Sequence, residues 1–310
     1  MKIGITGASG LIGERLCQEL AADGHLLTLF RRPSSTAASP TETRSFVAWD
    51  LLAGPPEPGC FDGLDALVHL AGEPIAGGRW TSSRKRRIRE SRVVGTRNLV
   101  AGLKAASDPP PVLISASAVG FYGNRGDELL TEDSAIGEGY LPEVCLEWEE
   151  EARHARDLIE RVVLLRTGIV LSQSGGALEK MLPPFRLGVG GRLGNGSQYM
   201  SWIHILDEVR LIQFLLDNPV SGPVNATAPN PVTNRRFTRV LADVLYRPSF
   251  CPVPGPVLRI LFGEMAQALL LEGQRVVPAR ALEAGFEFRF SALGEALSDL
   301  LGVTSPRSDR

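Results

Sequence analysis

Ile3-Gly4-Ile5-Thr6-Gly7-Ala8-Ser9-Gly10-Leu11-Ile12-Gly13 decides how this chain is read. A short apolar run ends at a glycine, and a helical pattern through Leu11, Leu16 and Leu20 follows at once. The stretch therefore reads as strand, turn, helix. In such a turn, glycines make the tight bend, let backbone N–H groups approach a pyrophosphate, and let the helix pack close to the strand. A glycine triplet alone is a weak signal, since any tight turn uses glycine. Its place between the first strand and the first helix makes it specific. Thr6, Gly7, Ser9, Gly10, Leu11, Ile12 and Gly13 are the expected phosphate-binding residues.

Working outward, strand and helix patterns alternate. His25–Phe30, Phe46–Trp49, Ala66–Leu70, Val112–Ser115 and Val162–Arg166 read as further buried strands. Long helices are expected over 83–106 and 143–156. Apolar strands separated by helices predict a parallel sheet covered on both faces, a doubly wound α/β fold of Rossmann type. The second half is less regular. Pro183-Pro184 and the glycine-rich stretch from Gly188 to Gly196 interrupt it, a helix follows near Leu206–Leu216, and 219–231 is rich in turn residues. From about Thr233 the pattern is mostly helical, most clearly over Leu258–Leu271. The expected organisation is a nucleotide-binding domain over 1–171, to which 195–229 returns. A smaller, mostly helical C-terminal substrate lobe takes 172–194 and 230–310, and Thr304–Arg310 form a frayed end.

The end of the second strand separates the two nicotinamide dinucleotides. A carboxylate there would bind a ribose 2′-hydroxyl, whereas arginine accommodates a 2′-phosphate. Here it is Phe30-Arg31-Arg32, with no acid nearby, so NADP is the expected cofactor and Arg31 and Arg32 its determinants. Asp50 and Leu51 close the third strand, where an Asp side chain suits the adenine amino group; a turn cap is the alternative for Asp50. Leu70, Ala71 and Gly72 close the fourth, where small residues admit the adenosine. His69 beside them reads as a packed histidine.

Composition sets the outer limits. The 310 residues carry 33 basic and 35 acidic side chains, a formal net charge of −2, which gives no general attraction to nucleic acid or to an acidic membrane. No apolar stretch reaches the roughly 18 residues of a membrane span, and Met1-Lys2-Ile3 does not open a signal peptide. Cys17, Cys60, Cys145 and Cys251 form no CxxC pair, so reduced thiols, a cytoplasmic location and no metal site are expected. The run Arg84-Lys85-Arg86-Arg87 reads mainly as a solvated helix face.

Further motifs add a family likeness. Val68-His69-Leu70-Ala71-Gly72, Gly95-Thr96-Arg97-Asn98-Leu99, Ser115-Ala116-Ser117-Ala118-Val119-Gly120-Phe121-Tyr122-Gly123 and Trp202-Ile203-His204-Ile205-Leu206-Asp207 accompany the opening turn. With them the chain resembles the extended short-chain dehydrogenases/reductases. Arg166-Thr167-Gly168-Ile169-Val170-Leu171-Ser172, Gly176-Ala177-Leu178 and Gly273-Gln274-Arg275-Val276 narrow the likeness to the atypical SDR39U1-like epimerase family proteins. Ser115 and Arg166, in these motifs, join the cofactor-binding candidates.

The resemblance implies an Asn, Ser, Tyr and Lys tetrad, in which Lys lowers the pKa of the Tyr acid/base; a phenol near its ordinary value of about 10 needs that help. Ser117 matches the Ser, and Tyr140 is the best match for the Tyr. Val144 stands where the Lys belongs, and none of the four tyrosines has a lysine four residues later. Arg92 takes the Asn position. Arg92 or Lys180 is left to supply a cation, and Glu143 is a second acid/base candidate, with a favourable charge at a helix start as its plainer explanation. Met200 replaces the arginine that grips a diphosphate in nucleotide-sugar enzymes, unless Arg186, Arg192 or Arg275 compensates. His204 reads as the anchor of a strand-to-helix corner.

The expected activity is that of an NADP-dependent oxidoreductase or epimerase-like enzyme acting on a small hydroxyl- or carbonyl-bearing substrate. The alternative is an NADP(H)-binding sensor or regulatory protein with little catalysis, and a nucleotide-sugar epimerase ranks lower. The resemblance also implies a homodimer paired through the two long helices.

Overall fold

The computed structural model describes residues 1–33 and 41–303. The expected frayed end at Thr304–Arg310 lies outside them. Chain order begins β1 (Lys2–Thr6), α1 (Leu11–Ala22), β2 (Leu26–Arg31), β3 (Arg44–Ala48), β4 (Ala66–His69), α2 (Ser82–Ala105), β5 (Val112–Ala118) and β6 (Leu129–Leu130). It continues with α3 (Tyr140–Arg153), β7 (Arg161–Thr167), β8 (Ile169–Leu171), α4 (Gly176–Arg186), β9 (Tyr199–Met200), β10 (Trp202–His204), α5 (Ile205–Asp217) and β11 (Gly222–Ala226). The remainder is β12 (Val232–Thr233), α6 (Asn234–Leu245), α7 (Gly255–Phe262), α8 (Glu264–Ala266), β13 (Arg275–Val276), α9 (Ala279–Glu283) and α10 (Leu293–Leu301).

Seven parallel strands form one sheet in the order β11-β7-β5-β4-β1-β2-β3. The chain starts in the middle and winds outward in both directions, so the carboxyl ends of β1 and β4 face a topological switch point. Both faces are covered, which is why the strands read as continuous apolar runs. Ile3, Ile5, Leu27, Leu29 and Ile114 pack with Leu16 and Leu20 of α1 and with Val209, Leu211 and Leu215 of α5. On the opposite face Leu67, Leu113, Val162 and Leu164 pack with Leu99 and Leu103 of α2 and Ala152 of α3.

The seventh strand, Gly222-Pro223-Val224-Asn225-Ala226, lies in the region that reads as turns. Its Pro223 has no N–H for a ladder, and an edge strand with one neighbour tolerates that. A second core, around Leu178, Leu182, Phe185, Trp202, Phe237, Leu241 and Leu297, joins α4, α6 and α10 into the smaller lobe. Pro183 and Pro184 do not interrupt α4. They are exposed in its last turns, where the helix ends two residues later anyway.

The continuous helix expected over 258–271 is broken. Gly263 adopts φ +62° and ψ −138° between α7 and α8, and a π turn over Gln267–Leu271 follows. Only glycine enters that backbone region freely, so the break is written into the residue type.

Candidate functional site

The turn after β1 is built around two close approaches. Gly7 takes φ +72°, and a Cβ there would lie 2.7 Å from the Ala71 nitrogen and the Leu70 carbonyl carbon at the end of β4. A Cβ on Gly13 would meet the Gly7 carbonyl oxygen at 2.2 Å. The first helical turn can thus sit directly on the bend, and α1 begins with Gly10 as its N-cap, with no side chain spent on the cap. The first N–H groups of α1 are left for an acceptor outside the helix, as anion binding requires. Thr6, Ser9, Leu11 and Ile12 flank this bend in sequence; the Thr6 hydroxyl is 2.7 Å from His69 Nδ1, and Ser9 is exposed.

Beside the turn is a cavity of about 320 Å³, lined by Ala8, Ser9, Glu14, Cys17, Gln18, Leu29, Arg31 and Arg44. Arg31 stacks its guanidinium 4.1 Å over the Phe46 ring, and its Nε is buried with no hydrogen-bond partner among the described residues. Arg44 donates one bond to the Cys17 carbonyl at 3.1 Å. A buried donor without an acceptor is costly in a finished site and useful in one that receives an anion. The cavity therefore pairs Arg31 with Arg44, and Arg32 is exposed next to it. Arg44 opens a strand and carries no motif, so only the pairing of Leu27 with Arg44 reveals it. The glycine cradle and the guanidinium-lined cavity both suit a dinucleotide with an extra phosphate.

The other expected cofactor residues have structural partners. Asp50 Oδ1 accepts from Leu52 N at 3.0 Å, the turn cap that was its alternative reading. Leu51 packs against Gly95, and its carbonyl accepts from Asn98 Nδ2 at 2.6 Å. The Gly95-to-Asn98 motif thereby seats α2: Gly95 under Leu51, Thr96 on His69 Nε2 at 3.0 Å, Asn98 on the Leu51 carbonyl. His69 is fully buried between two threonines, and burial lowers its pKa to about 4, so it is neutral and packed. Leu70 and Ala71 abut Gly7, whereas Gly72 lies under the Arg92 guanidinium, 3.4 Å from the place of its missing Cβ. Ser115 is buried, and its hydroxyl has no partner among the described residues.

Arg166 is committed elsewhere. Its Nε and NH2 bond both oxygens of Glu149 at 2.7 and 2.9 Å, its NH1 reaches Tyr122 Oη at 2.9 Å, and it lies 3.6 Å over Phe121. Ser117 donates to the same Glu149 at 2.7 Å. Ser117, Glu149 and Arg166 form a buried cluster joining β5, α3 and β7, and Arg153 adds a second cation. The serine is thus engaged by a carboxylate on α3. Glu149 has no motif of its own, and no sequence signal distinguishes it from its acidic neighbours.

Tyr140 is turned away from that cluster. Its hydroxyl donates to the Lys85 carbonyl on α2 at 2.6 Å, its ring packs against Trp80, and Lys85 Nζ sits 4.4 Å over it. Burial raises its pKa above the ordinary phenol value. The stripe of α3 that faces β5 and the turn after it is Leu141, Cys145 and Glu149: Leu141 and Cys145 lie against Gly120, and Glu149 holds Ser117. The Tyr140–Val144 register is one residue off that stripe, a rotation of about 100° on a helix. Burial pushes the Cys145 thiol up to about 12, so it is no nucleophile. Glu143 is exposed in the first turn of α3, where a carboxylate suits the helix start.

Arg92 lies against α3, 5.0 Å over Trp148, and donates NH1 to the carbonyls of Glu73 and Ile88 at 3.0 Å. Lys180 instead crosses from α4 to the Ala76 carbonyl at 3.0 Å. The basic run is less solvated than its composition suggests, since Arg84 binds Glu73 and Lys85 binds Glu264 of the smaller lobe. Met200 is buried in the lobe core with Asn234 Nδ2 at 3.5 Å from its sulfur. Arg186 and Arg192 are exposed, and Arg275 lies 5.2 Å over Tyr199. His204 caps α5 by accepting from Leu206 N and stacks 3.9 Å from Phe290, the corner role expected of it. Among the described residues, no three His, Cys, Asp or Glu side chains gather as metal ligands.

Comparison with known proteins adds the lineage. The model of the NAD dependent epimerase/dehydratase family matches residues 3–228, and a "Domain of unknown function (DUF1731)" matches 253–300. The chain is 42% identical over 297 residues to the epimerase family protein MT2273 of Mycobacterium tuberculosis, covering 95% of this chain and 96% of the relative. It is 42% identical to the chloroplastic SDR39U1 homolog of Arabidopsis thaliana, covering 97% and 87%. The crystal structure of human epimerase family protein SDR39U1 with NADPH superposes with a TM-score of 0.87 at 35% identity, over 97% of this chain and 99% of that one.

Proposed function

The chain belongs to the NAD dependent epimerase/dehydratase family, and from that premise we propose that it is an NADPH-binding reductase whose hydride transfer runs without a tyrosine–lysine proton relay. The Gly7–Gly13 turn would take the pyrophosphate, and Arg31 with Arg44 the 2′-phosphate. When bound, NADPH supplies the hydride. One observation carries the reading: the face of α3 toward β5 offers Leu141, a protonated Cys145, and a Glu149 already shared by Ser117 and Arg166. The thiol holds its proton and both Glu149 oxygens are already bonded, so this face presents no free acid/base. The substrate class this suits is a small carbonyl or other acceptor that takes its proton from water, polarised by the nearby Arg92. Human SDR39U1, crystallised with NADPH, supports the choice of cofactor.

The test is NADPH oxidation at 340 nm over a panel of carbonyl acceptors, with Tyr140→Phe and Cys145→Ser beside the wild type. Rates within about twofold of wild type are expected. A loss of the 100- to 10,000-fold that removal of an acid/base typically brings, roughly two to four orders of magnitude, would return Tyr140 to the mechanism.

A second reading is favoured by contacts across the crevice. Lys180 to Ala76, Lys85 to Glu264, and Trp80 packed with Met265 tie the smaller lobe to the loop after β4 and to the start of α2. A protein built this way could report coenzyme occupancy to a partner through the lobe, and NADPH binding without turnover of any acceptor is its signature. A nucleotide-sugar epimerase is disfavoured by the buried Met200.

A further inference from the structure

The large apolar side chains that this protein leaves exposed are concentrated on the smaller lobe. Leu187 (78% exposed) and Val189 follow α4; Tyr246, Phe250 (75%), Val257, Ile260 (73%) and Leu261 lie between the end of α6 and the end of α7. The two segments run side by side. Val253 N donates to the Arg192 carbonyl and Gly194 N to the Val253 carbonyl, both at 2.9 Å, and Gly188 lies against Pro248. In α7 only Leu258 is buried, so an eight-residue helix presents nearly its whole apolar surface outward. A monomer has no use for that much exposed hydrocarbon in one place.

The charges on the same segments are of one sign. Residues 181–193 and 246–263 contain Arg186, Arg192, Arg247 and Arg259, all exposed, and no Asp or Glu. Carboxylates resume only outside them, at Glu179, Asp243 and Glu264. The whole chain, by contrast, is nearly balanced at −2. A second copy related by a two-fold axis would set these arginines against one another, which disfavours a dimer through this face. The residues outside the described structure, 34–40 and 304–310, have no large apolar side chain with which to cover it.

We infer that this face of the smaller lobe docks on an anionic lipid bilayer, with Ile260, Leu261 and Phe250 entering the interface and the four arginines meeting lipid phosphates. Apolar residues interleaved with arginine suit that boundary, because the aliphatic part of each arginine can lie among acyl chains while its guanidinium stays at headgroup level. Each cation near an anionic leaflet is worth about fivefold in affinity at moderate salt, so four arginines bring an effect on the order of several hundredfold. Because α8 follows α7 directly, and Glu264 and Met265 contact Lys85 and Trp80, docking would hold the crevice near the membrane surface. The inference does not depend on the coenzyme reading.

Co-sedimentation with vesicles tests it. The full-length protein is expected to bind vesicles of phosphatidylcholine with a third phosphatidylglycerol, to ignore pure phosphatidylcholine, and to be released by salt. The double variant Ile260→Glu/Leu261→Glu should lose at least about tenfold in partitioning, and Arg247→Glu/Arg259→Glu about 25-fold or more. NADPH binding by both variants should match the wild type, which shows that they are folded. Equal pelleting with both vesicle types, or variants that bind like the wild type, would overturn the inference. So would a dimer in light scattering that Ile260→Glu/Leu261→Glu converts to monomer, since a second copy would then own the face.

Discussion

Ser117 and Arg166 stand side by side on β5 and β7, and both spend their bonds on Glu149. Both belong to motifs visible in the chain, yet their role was not legible, because the carboxylate that unites them sits 32 residues beyond Ser117 in an acid-rich helix. The same limit applies to Tyr140. A motif gives spacing along a helix but not rotation about it, and one residue separates a phenol aimed at the sheet from one bonded to α2. Breaking a buried ion pair strands a charge, so Arg166→Ala should lower unfolding free energy by about 3–5 kcal/mol in urea titration. Glu208 gives a pH signature. It is fully buried; among the described residues Thr167 is its one donor and its other oxygen has no partner, and burial raises its pKa from the ordinary value of 4.5 to about 8. The folded state then holds a proton that the unfolded state has released, so this group makes stability fall as pH rises from about 4.5 to about 8. Glu208→Gln should remove that decline and be more stable than wild type at pH 8 by a few kcal/mol, on the order of the shift itself. Parallel slopes for the two proteins between pH 5 and 8 would refute the assignment.

Elements were readable where period and punctuation agreed. The opening strand, turn and helix were legible because each glycine of the turn meets a steric demand: Gly7 at the end of β4, Gly13 on the Gly7 carbonyl. The strand over Gly222–Ala226 was not, since glycine, proline and asparagine disguise it and only a place at the sheet edge permits them. The break at Gly263 was hidden by apolar residues on both sides that keep helical period. Gly263→Ala should cost more than about 1 kcal/mol in unfolding free energy, since alanine cannot hold φ +62° and ψ −138° without strain. An unchanged urea midpoint would mean that α7 and α8 can join into one helix.

At the scale of the molecule, length and alternation predicted a doubly wound sheet with a helical lobe, and the seven-stranded order and second core have that form. Net charge was a poorer guide. A sum of −2 argues against acidic surfaces only if charge is evenly spread, and residues 181–193 and 246–263 are not. Arg44 likewise becomes visible only when β3 is laid beside β2 and its side chain reaches the cavity shared with Ser9 and Arg31. Calorimetric titration of the wild type, Arg31→Ala and Arg44→Ala with NADPH and with NADH tests that cavity most directly. NADPH should bind the wild type at least about tenfold more tightly than NADH, and each alanine should weaken NADPH by about tenfold while leaving NADH unchanged. Equal affinities for the two coenzymes in the wild type, or an Arg44→Ala protein that still prefers NADPH as strongly, would contradict the account.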